Sequence, residues 1–262
     1  MTAPLPFSGT FEGILDLVGQ LRSEQGCPWD QEQTLLTLSP LLLEECYELI
    51  EAIETEKDSE RLEELGDVFL HLAFQISISE DEGVFTRSDV FDSTLRKYIG
   101  RHPHVFADQI INSIEELKDN WEKIKQEEKK GTRTSTMDGI PQNLPSLSSA
   151  QKIQQKAARS GFDWDNSNEI RGKILEELSE FESAGTYAEL EEEFGDLLFS
   201  VVNMGRHSKI DPEKALRNAN RKFISRFKSM EKIATLRGKN FSDLPLQDQD
   251  DLWNEVKLQE KQ

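Results

Sequence analysis

The chain is poor in cysteine, glycine and proline, and it has no long apolar run. Its 262 residues include 2 cysteines, Cys27 and Cys46, too few for a disulfide scaffold and typical of a reducing compartment. The 15 glycines and 9 prolines leave long stretches of helix-favouring residues. No stretch approaches the roughly 18 apolar residues of a membrane-spanning helix, and residues 1–9 do not resemble a signal peptide. We therefore expect an all-α, cytoplasmic protein that does not bind a membrane.

Basic residues are also scarce, because the chain has 31 lysines and arginines but 50 aspartates and glutamates, which gives a formal net charge of −19. A surface this acidic repels phosphate backbones, so we expect no nucleic-acid polymer as a partner. The same field repels a free nucleotide. A phosphate-bearing substrate would therefore require bound cations or a local basic cluster.

Hydrophobic periodicity predicts four helices in the first half of the chain. The first begins at Ser39 and Pro40, as N-cap and first helical residue, and its apolar face comprises Leu42, Cys46, Leu49 and Ile53. The second spans about residues 59–79, and its predicted inward face comprises Leu62, Leu65, Val68, Phe69, Leu72 and Ile76. The third covers about residues 88–100, and the fourth begins near Ser113, in a capping box with Glu116.

The same order of features occurs twice, which indicates a duplicated domain. Trp29, in the loop of residues 26–30, recurs as Trp164 in residues 161–165, and Trp121 recurs as Trp253. The motif Glu-Glu-x-x-Glu, followed by Glu-x-x-Asp, occurs in both halves. A segment rich in glycine, serine, threonine and proline lies between the copies. We predict an N-terminal repeat over residues 1–128, a linker over 129–149 and a C-terminal repeat over 150–262.

Each repeat carries four acidic side chains spaced to share the faces of two neighbouring helices. The candidates are Glu45, Glu48, Glu64 and Asp67 in the N-terminal repeat and Glu177, Glu180, Glu193 and Asp196 in the C-terminal repeat. Residues three apart lie on one face of a helix, and adjacent apolar stripes turn this face toward a groove between helices. A single Glu-x-x-Glu in so acidic a chain is usually solvated surface, so the prediction depends on the recurrence.

Converging carboxylates destabilise one another unless a cation lies between them. Oxygen ligands without nitrogen or sulfur suit Mg²⁺, with Mn²⁺ as a substitute. Di-iron helical bundles use Glu-x-x-His instead, and no histidine of this chain follows a motif glutamate by three residues, which disfavours redox chemistry. His102 and His104 flank Pro103 in a predicted loop, where they either contact phosphate or are idle.

A basic pair recurs as well. Lys222 and Arg226 are one helical turn apart and are echoed by Lys97 and Arg101. Arginine grips phosphate with two parallel hydrogen bonds and lysine acts as a point charge, but a solvated basic helix is the alternative. The recurring tryptophans either stack on a base or fill the core, and the repetition does not separate these interpretations.

Together these residues resemble the MazG-type nucleoside triphosphate pyrophosphohydrolases over about residues 26–257. The doubled acidic motif, the loop of residues 26–30 and the stretch of residues 101–108 carry the resemblance. It implies an all-α fold with a four-helix core, usually assembled as homodimers. It also implies Mg²⁺-dependent hydrolysis of ribo- and deoxynucleoside triphosphates at the α-phosphorus, giving a nucleoside monophosphate and pyrophosphate.

The resemblance assigns roles to the C-terminal repeat. Mg²⁺ would be held by Glu177, Glu180, Glu193 and Asp196. The phosphates would meet Lys222 and Arg226, while Trp253 and Lys257 close over the nucleotide and Trp164 lines the base pocket. Glu176 is the candidate that orients or deprotonates the attacking water.

Two amides make the C-terminal repeat the predicted main catalyst. Asn203, a further substrate-binding candidate, corresponds to Phe74 in the N-terminal repeat, and Asn220 corresponds to Leu95. The N-terminal acids and bases therefore form a second-tier set of weaker or regulatory function: Glu45, Glu48, Glu64, Asp67, Lys97 and Arg101. Two alternatives are an enzyme narrowly specific for one nucleotide and a non-catalytic acidic interaction module.

Overall fold

The structure is a computed structural model that describes residues 6–111, 113–128, 131, 134–164 and 166–260, without the side chains of residues 118, 119, 122, 126 and 167. Every regular element in this part of the chain is a helix, which confirms the predicted all-α class. The chain divides into two compact units, Met1–Glu128 (unit 1) and Lys129–Gln262 (unit 2). None of the described helices is both long enough and apolar enough to cross a membrane.

Unit 1 is organised around a pair of long packed helices, α3 and α4. Its helices in chain order are α1 Phe11–Arg22, α2 Pro28–Gln31, α3 Leu35–Glu54, α4 Asp58–Asp81, α5 Arg87–Gly100, α6 Pro103–Phe106 and α7 Ile114–Glu128. Helix α1 packs across α4, and α5 packs against the end of α4. The core lies where α1, α3 and α4 meet, and Leu15, Leu38 and Ala73 are among its fully buried residues.

Unit 2 repeats the long packed pair as α9 and α10. Its helices are α8 Ser146–Arg159, α9 Ser167–Ser183, α10 Tyr187–His207, α11 Pro212–Leu236 and α12 Leu246–Gln259, with a 3₁₀ turn at Phe241–Asp243. Helix α8 packs on α10 and α11, while α12 packs on α11 through Met230, Ala234, Leu252 and Val256. Both units thus present their acidic motifs on a helical hairpin of the same kind.

Helix α3 begins earlier than the sequence predicts. Thr34, not Ser39, is the N-cap, because its hydroxyl accepts a hydrogen bond from the Thr37 amide while the Thr37 hydroxyl accepts one from the Thr34 amide. This capping box outweighs the tendency of Pro40 to start a helix. Pro40 lies inside the second turn instead, where it removes one backbone hydrogen bond.

The predicted inward face of α4 is only partly covered. Four of its residues are exposed in the single chain: Leu62 (76%), Leu65 (41%), Phe69 (43%) and Leu72 (39%). Burial is concentrated in the second half of α4, where Ala73, Phe74 and Ile78 join the core beneath α1. Periodicity identified the apolar face correctly, but the helices of this chain cover only part of it.

The predicted linker is partly folded. Helix α8 begins at Ser146, inside the predicted linker, and the Lys156 ammonium on α8 donates to the carbonyl oxygens of Thr136 and Asp138 at 2.9 and 2.7 Å. The Asp138 carboxylate in turn accepts from the amides of Thr134 and Ser135. The polar composition predicted a linker here, although backbone carbonyl groups of residues 136 and 138 are hydrogen-bonded to α8 of unit 2.

The core predicts the cost of a cavity in unit 1. Leu15 has no exposed surface, so Leu15→Ala should lower the free energy of unfolding of unit 1 by about 2–5 kcal/mol. Leu36 is 86% exposed on α3, so Leu36→Ala should change the free energy of unfolding by less than about 0.5 kcal/mol. Urea unfolding monitored by circular dichroism checks both values. Equal effects of the two substitutions would contradict the described core.

Candidate metal centre

The turn between α9 and α10 sets how the two helices face each other in unit 2. Thr186 caps α10: its hydroxyl accepts from the Glu189 amide, and the Glu189 carboxylate accepts from the amides of Gly185 and Thr186 at 2.8 and 2.9 Å. These hydrogen bonds lower the pKa of Glu189. The capping box fixes the start of α10 and thereby the height at which its acidic residues meet those of α9.

Three of the four predicted metal ligands of unit 2 come together. Glu177 and Glu180 on α9 and Glu193 on α10 offer carboxylate oxygens that all lie within 4.8 Å of one another. Glu177 is only 4% exposed, Glu193 is half-buried and Glu180 is exposed. The pKa of Glu193 is raised by desolvation and then by the negative charges of Glu180, Glu177 and Asp196. Asp196 lies one turn beyond Glu193, outside the triad but close enough for its charge to act on it.

Unit 1 holds an equivalent triad. Glu45 and Glu48 on α3 and Glu64 on α4 place carboxylate oxygens within the same 4.8 Å limit. Desolvation raises the pKa of both Glu45 and Glu64, and the charges of neighbouring acids, among them Asp67 and Glu48, raise them further. The structure therefore places Asp67 beside the triad, as it places Asp196 in unit 2.

The donor chemistry of both triads fits a divalent cation. Each triad consists of carboxylate oxygens, the ligands that Mg²⁺ and Mn²⁺ prefer. Desolvation, and then the charges of neighbouring acids, raise the pKa of Glu45, Glu64 and Glu193, so gathering these carboxylates carries an electrostatic cost. A bound divalent cation would relieve it.

A lysine beside the unit 2 triad is a feature that sequence reasoning missed. The Lys173 ammonium lies 2.7 Å from the Glu177 carboxylate and 3.0 Å from that of Glu176. Glu176, the predicted water-activating residue, is thus linked to the triad residue Glu177 through Lys173. The spacings of three and four residues on one helix could have revealed this pair of bonds.

The partner of the unit 1 triad is different. Leu41 stands at the position of Lys173, and the His71 Nε2 lies 3.7 Å from the Glu45 carboxylate. Burial lowers the pKa of His71, which favours the neutral ring at neutral pH. The acidic motifs recur, but the groups that balance them do not.

The predicted basic pair of unit 2 meets an acidic residue. The Arg226 guanidinium donates from Nε and Nη2 to the Glu260 carboxylate, at 3.0 and 2.6 Å, and lies 5.2 Å from the ring centre of Trp253. Lys222 is exposed and Lys257 half-buried, and both are close enough for their charges to lower the pKa of Glu260. Four predicted substrate-binding residues therefore gather around one carboxylate.

Unit 1 contains the same arrangement. Arg101 donates from Nε and Nη2 to Glu128, at 3.1 and 2.5 Å, and lies 5.9 Å from the ring centre of Trp121. Lys97 is exposed and lies 5.6 Å from the Tyr98 ring centre. Sequence reasoning missed Glu128 and Glu260, although Trp-x-x-x-Lys-x-x-Glu ends both repeats and could have revealed them.

The loop before α9 is clamped to the end of α10. Both nitrogens at the end of the Arg206 guanidinium bond the Asp163 carboxylate, and His207 Nε2 lies 3.1 Å from it. These partners, Arg206 above all, lower the pKa of Asp163 to about 2. The clamp positions the neighbouring Trp164, which is half-buried and packs against Phe162. Asp165, part of the predicted loop motif, lies outside the described residues.

Asn203 supports this clamp. It is 3% exposed, and its side-chain oxygen accepts a hydrogen bond from Arg206 Nε at 2.9 Å. The predicted substrate-binding amide therefore orients the arginine that holds the Trp164 loop. In unit 1 an arginine holds the corresponding loop through its backbone, because Arg22 donates to the carbonyl oxygens of Asp30 and Gln33 at 2.8 and 3.2 Å.

The two histidines predicted to lie in a loop instead lie at the start of helix α6, with His102 as its N-cap and His104 inside it, and His102 packs against Trp121. The His102 ring lies 4.8 Å from that of Trp121 and 5.6 Å from that of His104, and His102 Nδ1 lies 2.6 Å from the Tyr98 carbonyl oxygen. His102 thus fills the contact between α5 and α7.

An all-α hairpin with a carboxylate triad is the candidate site in each unit, and comparison with known proteins identifies the family as one of nucleotide pyrophosphohydrolases. The model described as MazG nucleotide pyrophosphohydrolase domain matches residues 33–106. The chain is 45% identical to the nucleoside triphosphate pyrophosphohydrolase/pyrophosphatase MazG of Thermotoga maritima, over 94% of this chain and 95% of that protein. It is 40% identical to the nucleoside triphosphate pyrophosphohydrolase of Escherichia coli K12, over 94% and 97%. The chain belongs to the MazG family, which confirms the resemblance.

A further relative extends the comparison. The chain is 43% identical to the uncharacterized protein YabN of Bacillus subtilis, over 96% of this chain and 52% of that protein. The family match over residues 33–106 contains the whole acidic and basic set of unit 1, whereas the equivalent set of unit 2 lies outside it.

The raised pKa of Glu193 predicts a pH-dependent metal affinity. Its carboxyl group binds protons at higher pH than an ordinary glutamate, and metal binding must displace them. Binding of Mn²⁺ should therefore strengthen as the pH rises from 5 to 7, with proton release at the lower pH. Calorimetry in buffers of different ionisation enthalpy measures both quantities.

Two results would complete this test. Glu193→Gln should weaken Mn²⁺ binding at both pH values, because a ligand is lost, whereas Glu191→Gln, on the same helix outside the triad, should leave it unchanged. Equal Mn²⁺ affinity of the unaltered protein at pH 5 and 7 would contradict the assigned site.

Proposed function

We propose that this protein hydrolyses ribo- and deoxynucleoside triphosphates at the α-phosphorus, with Mg²⁺, to a nucleoside monophosphate and pyrophosphate. The observation that carries the proposal is the triad of Glu177, Glu180 and Glu193, whose carboxylate oxygens lie within 4.8 Å of one another. Membership of the MazG family and the names of its relatives support the same reaction. The net charge of −19 requires a local source of positive charge for such a substrate, and metal ions at the triads would provide it.

Glu177, Glu180, Glu193 and Asp196 would hold Mg²⁺ in unit 2, with Mn²⁺ as a substitute. When bound, the cation would supply Lewis-acid activation of water and neutralisation of phosphate charge. Asp196 is exposed, and its charge acts on Glu193, which supports its assignment as a fourth ligand. Glu176, oriented by its 3.0 Å contact with Lys173, would orient the attacking water or accept its proton.

The basic end of unit 2 would bind the rest of the substrate. Lys222 and Arg226 would contact phosphate oxygens, and Lys257 would add charge beside Trp253. Trp164 would stack on the base, held in place by the Asp163–Arg206 clamp. Asn203 would act through that clamp, because its oxygen already bonds Arg206. Stacking does not distinguish bases, which supports broad base tolerance.

Unit 2 would be the main catalyst and unit 1 a weak or regulatory site. Glu193→Ala should lower the rate of pyrophosphate release at least about 100-fold, because it removes a metal ligand. Glu64→Ala, the equivalent change in unit 1, should leave most of the rate, and Glu191→Ala should leave all of it. A coupled pyrophosphate assay with several triphosphates measures this.

The outcomes separate the candidate functions. A greater loss with Glu64→Ala would assign catalysis to unit 1, the unit that the family model matches. Turnover of only one nucleotide would support the narrow-specificity enzyme. Release of phosphate and a diphosphate would overturn cleavage at the α-phosphorus, and failure to bind Mg²⁺ and a non-hydrolysable triphosphate would support the non-catalytic module.

The protein would act as a homodimer. Helix α4 exposes Leu62, Leu65, Phe69 and Leu72, an apolar face that a second copy of the chain would cover. Light scattering should give twice the chain mass of 30.0 kDa. The double change Leu62→Glu and Leu65→Glu should give single chains, because it places charge in the interface, whereas Leu246→Glu, at a 77% exposed site on α12, should not. A dimer that survives the double change would contradict this interface.

A further inference from the structure

We propose that Glu260 is a positioning residue, which holds the Arg226 guanidinium in the orientation that meets the triphosphate. The inference rests on the proposed function, because it assigns Arg226 to phosphate binding. Glu260 itself would not touch the substrate. Glu128 would act in the same way on Arg101 in unit 1.

The geometry around Arg226 restrains the guanidinium from two sides. Its Nε and Nη2 atoms share the Glu260 carboxylate, at 3.0 and 2.6 Å, which sets the plane of the group. The ring of Trp253, with its centre 5.2 Å away, restrains it from a second direction. Guanidinium donors form a rigid fork, so an acceptor on the Nε side directs the Nη1 side toward a second acceptor. A phosphate oxygen is an acceptor of this kind.

The charges favour the same role. Lys222 and Lys257 help Arg226 to lower the pKa of Glu260, so this carboxylate is ionised at neutral pH. Three cations around one anion leave a net positive cluster that still attracts phosphate. Without Glu260, three like charges would repel one another, and Arg226 would lose the contact that keeps its side chain only 15% exposed.

The arrangement occurs in both units, which argues against a chance surface ion pair. Arg101, Trp121 and Glu128 reproduce it in unit 1, with the same pair of donor atoms on the arginine. In both units the glutamate follows the tryptophan by seven residues, which is two helical turns and places both side chains on one face.

A second ion pair in unit 2 provides a matched control. Arg237 donates from Nη2 to the Glu255 carboxylate at 2.7 Å, and this pair also joins the end of α11 to α12. Loss of either glutamate therefore removes one ion pair next to the α11–α12 packing. Of these two glutamates, only Glu260 contacts an arginine that is assigned to phosphate binding.

The test compares Glu260→Ala with Glu255→Ala in the full chain. Glu260→Ala should raise KM for a nucleoside triphosphate about tenfold, the effect expected from misplacing one charge-assisted phosphate contact, and change kcat less than about twofold. Glu260→Gln should restore part of the loss, because one acceptor oxygen remains. Glu255→Ala should leave KM unchanged, with a change in melting temperature similar to that of Glu260→Ala.

Three outcomes would overturn the inference. A lower KM in Glu260→Ala would mean that Glu260 competes with the substrate for Arg226. An equal rise of KM in both alanine variants would mean that Glu260 only joins helices. An unchanged KM in Glu260→Ala would mean that Arg226 needs no such support.

Binding of a non-hydrolysable triphosphate with Mg²⁺, measured by calorimetry, separates this inference from the proposed function. If the unaltered protein binds the analogue but releases no pyrophosphate, the proposed function fails, and weaker binding by Glu260→Ala still supports positioning. If the unaltered protein is active, and Glu260→Ala binds the analogue as tightly as the unaltered protein, only the inferred positioning role of Glu260 is contradicted.

Discussion

Repulsion between carboxylates on adjacent helices is the constraint around which both units are built. Each hairpin brings three acidic side chains within 4.8 Å of one another, although each would be better solvated apart. Hydrophobic packing and helix capping hold them there, as the Thr186 capping box does at the start of α10. The two units differ in the group beside the triad, because Lys173 pairs with Glu177 in unit 2, whereas His71, whose lowered pKa favours the neutral ring, lies beside Glu45 in unit 1. Duplication has therefore preserved the acidic groups without preserving their surroundings.

Unit 2 separates its charges along α9 to α12. The carboxylate triad lies on the α9–α10 hairpin, whereas Lys222, Arg226 and Lys257 lie on α11 and α12. The proposed substrate, a triphosphate with its metal ion, carries both signs of charge and would complement both regions. Under the proposed function, the net charge of −19 would disfavour a bare nucleotide but would be compatible with a nucleotide that binds together with its metal ion.

Much of the fold and part of the site could be predicted from the sequence, because both depend on short spacings. Helical periodicity and recurrence indicated the all-α class and the helices that bear Glu177, Glu180 and Glu193. Contacts between distant segments, such as Arg226 with Glu260 and Arg206 with Asp163, require the relative placement of helices, which spacing does not provide. The predicted start of α3 was wrong because the capping box of Thr34 and Thr37 begins the helix before Pro40. An apolar pattern also identifies a face, as on α4, without identifying what covers it.

The attachment of the Trp164 loop has a consequence for how such enzymes diversify. The loop is anchored through Asp163 to Arg206 and His207, near the end of α10, whereas Glu193 lies near the beginning of that helix. Under the proposed function, replacements in the loop would alter which nucleobase is preferred while leaving the proposed metal ligands undisturbed. Selectivity and bond cleavage can then drift under separate evolutionary pressures within a single helical scaffold.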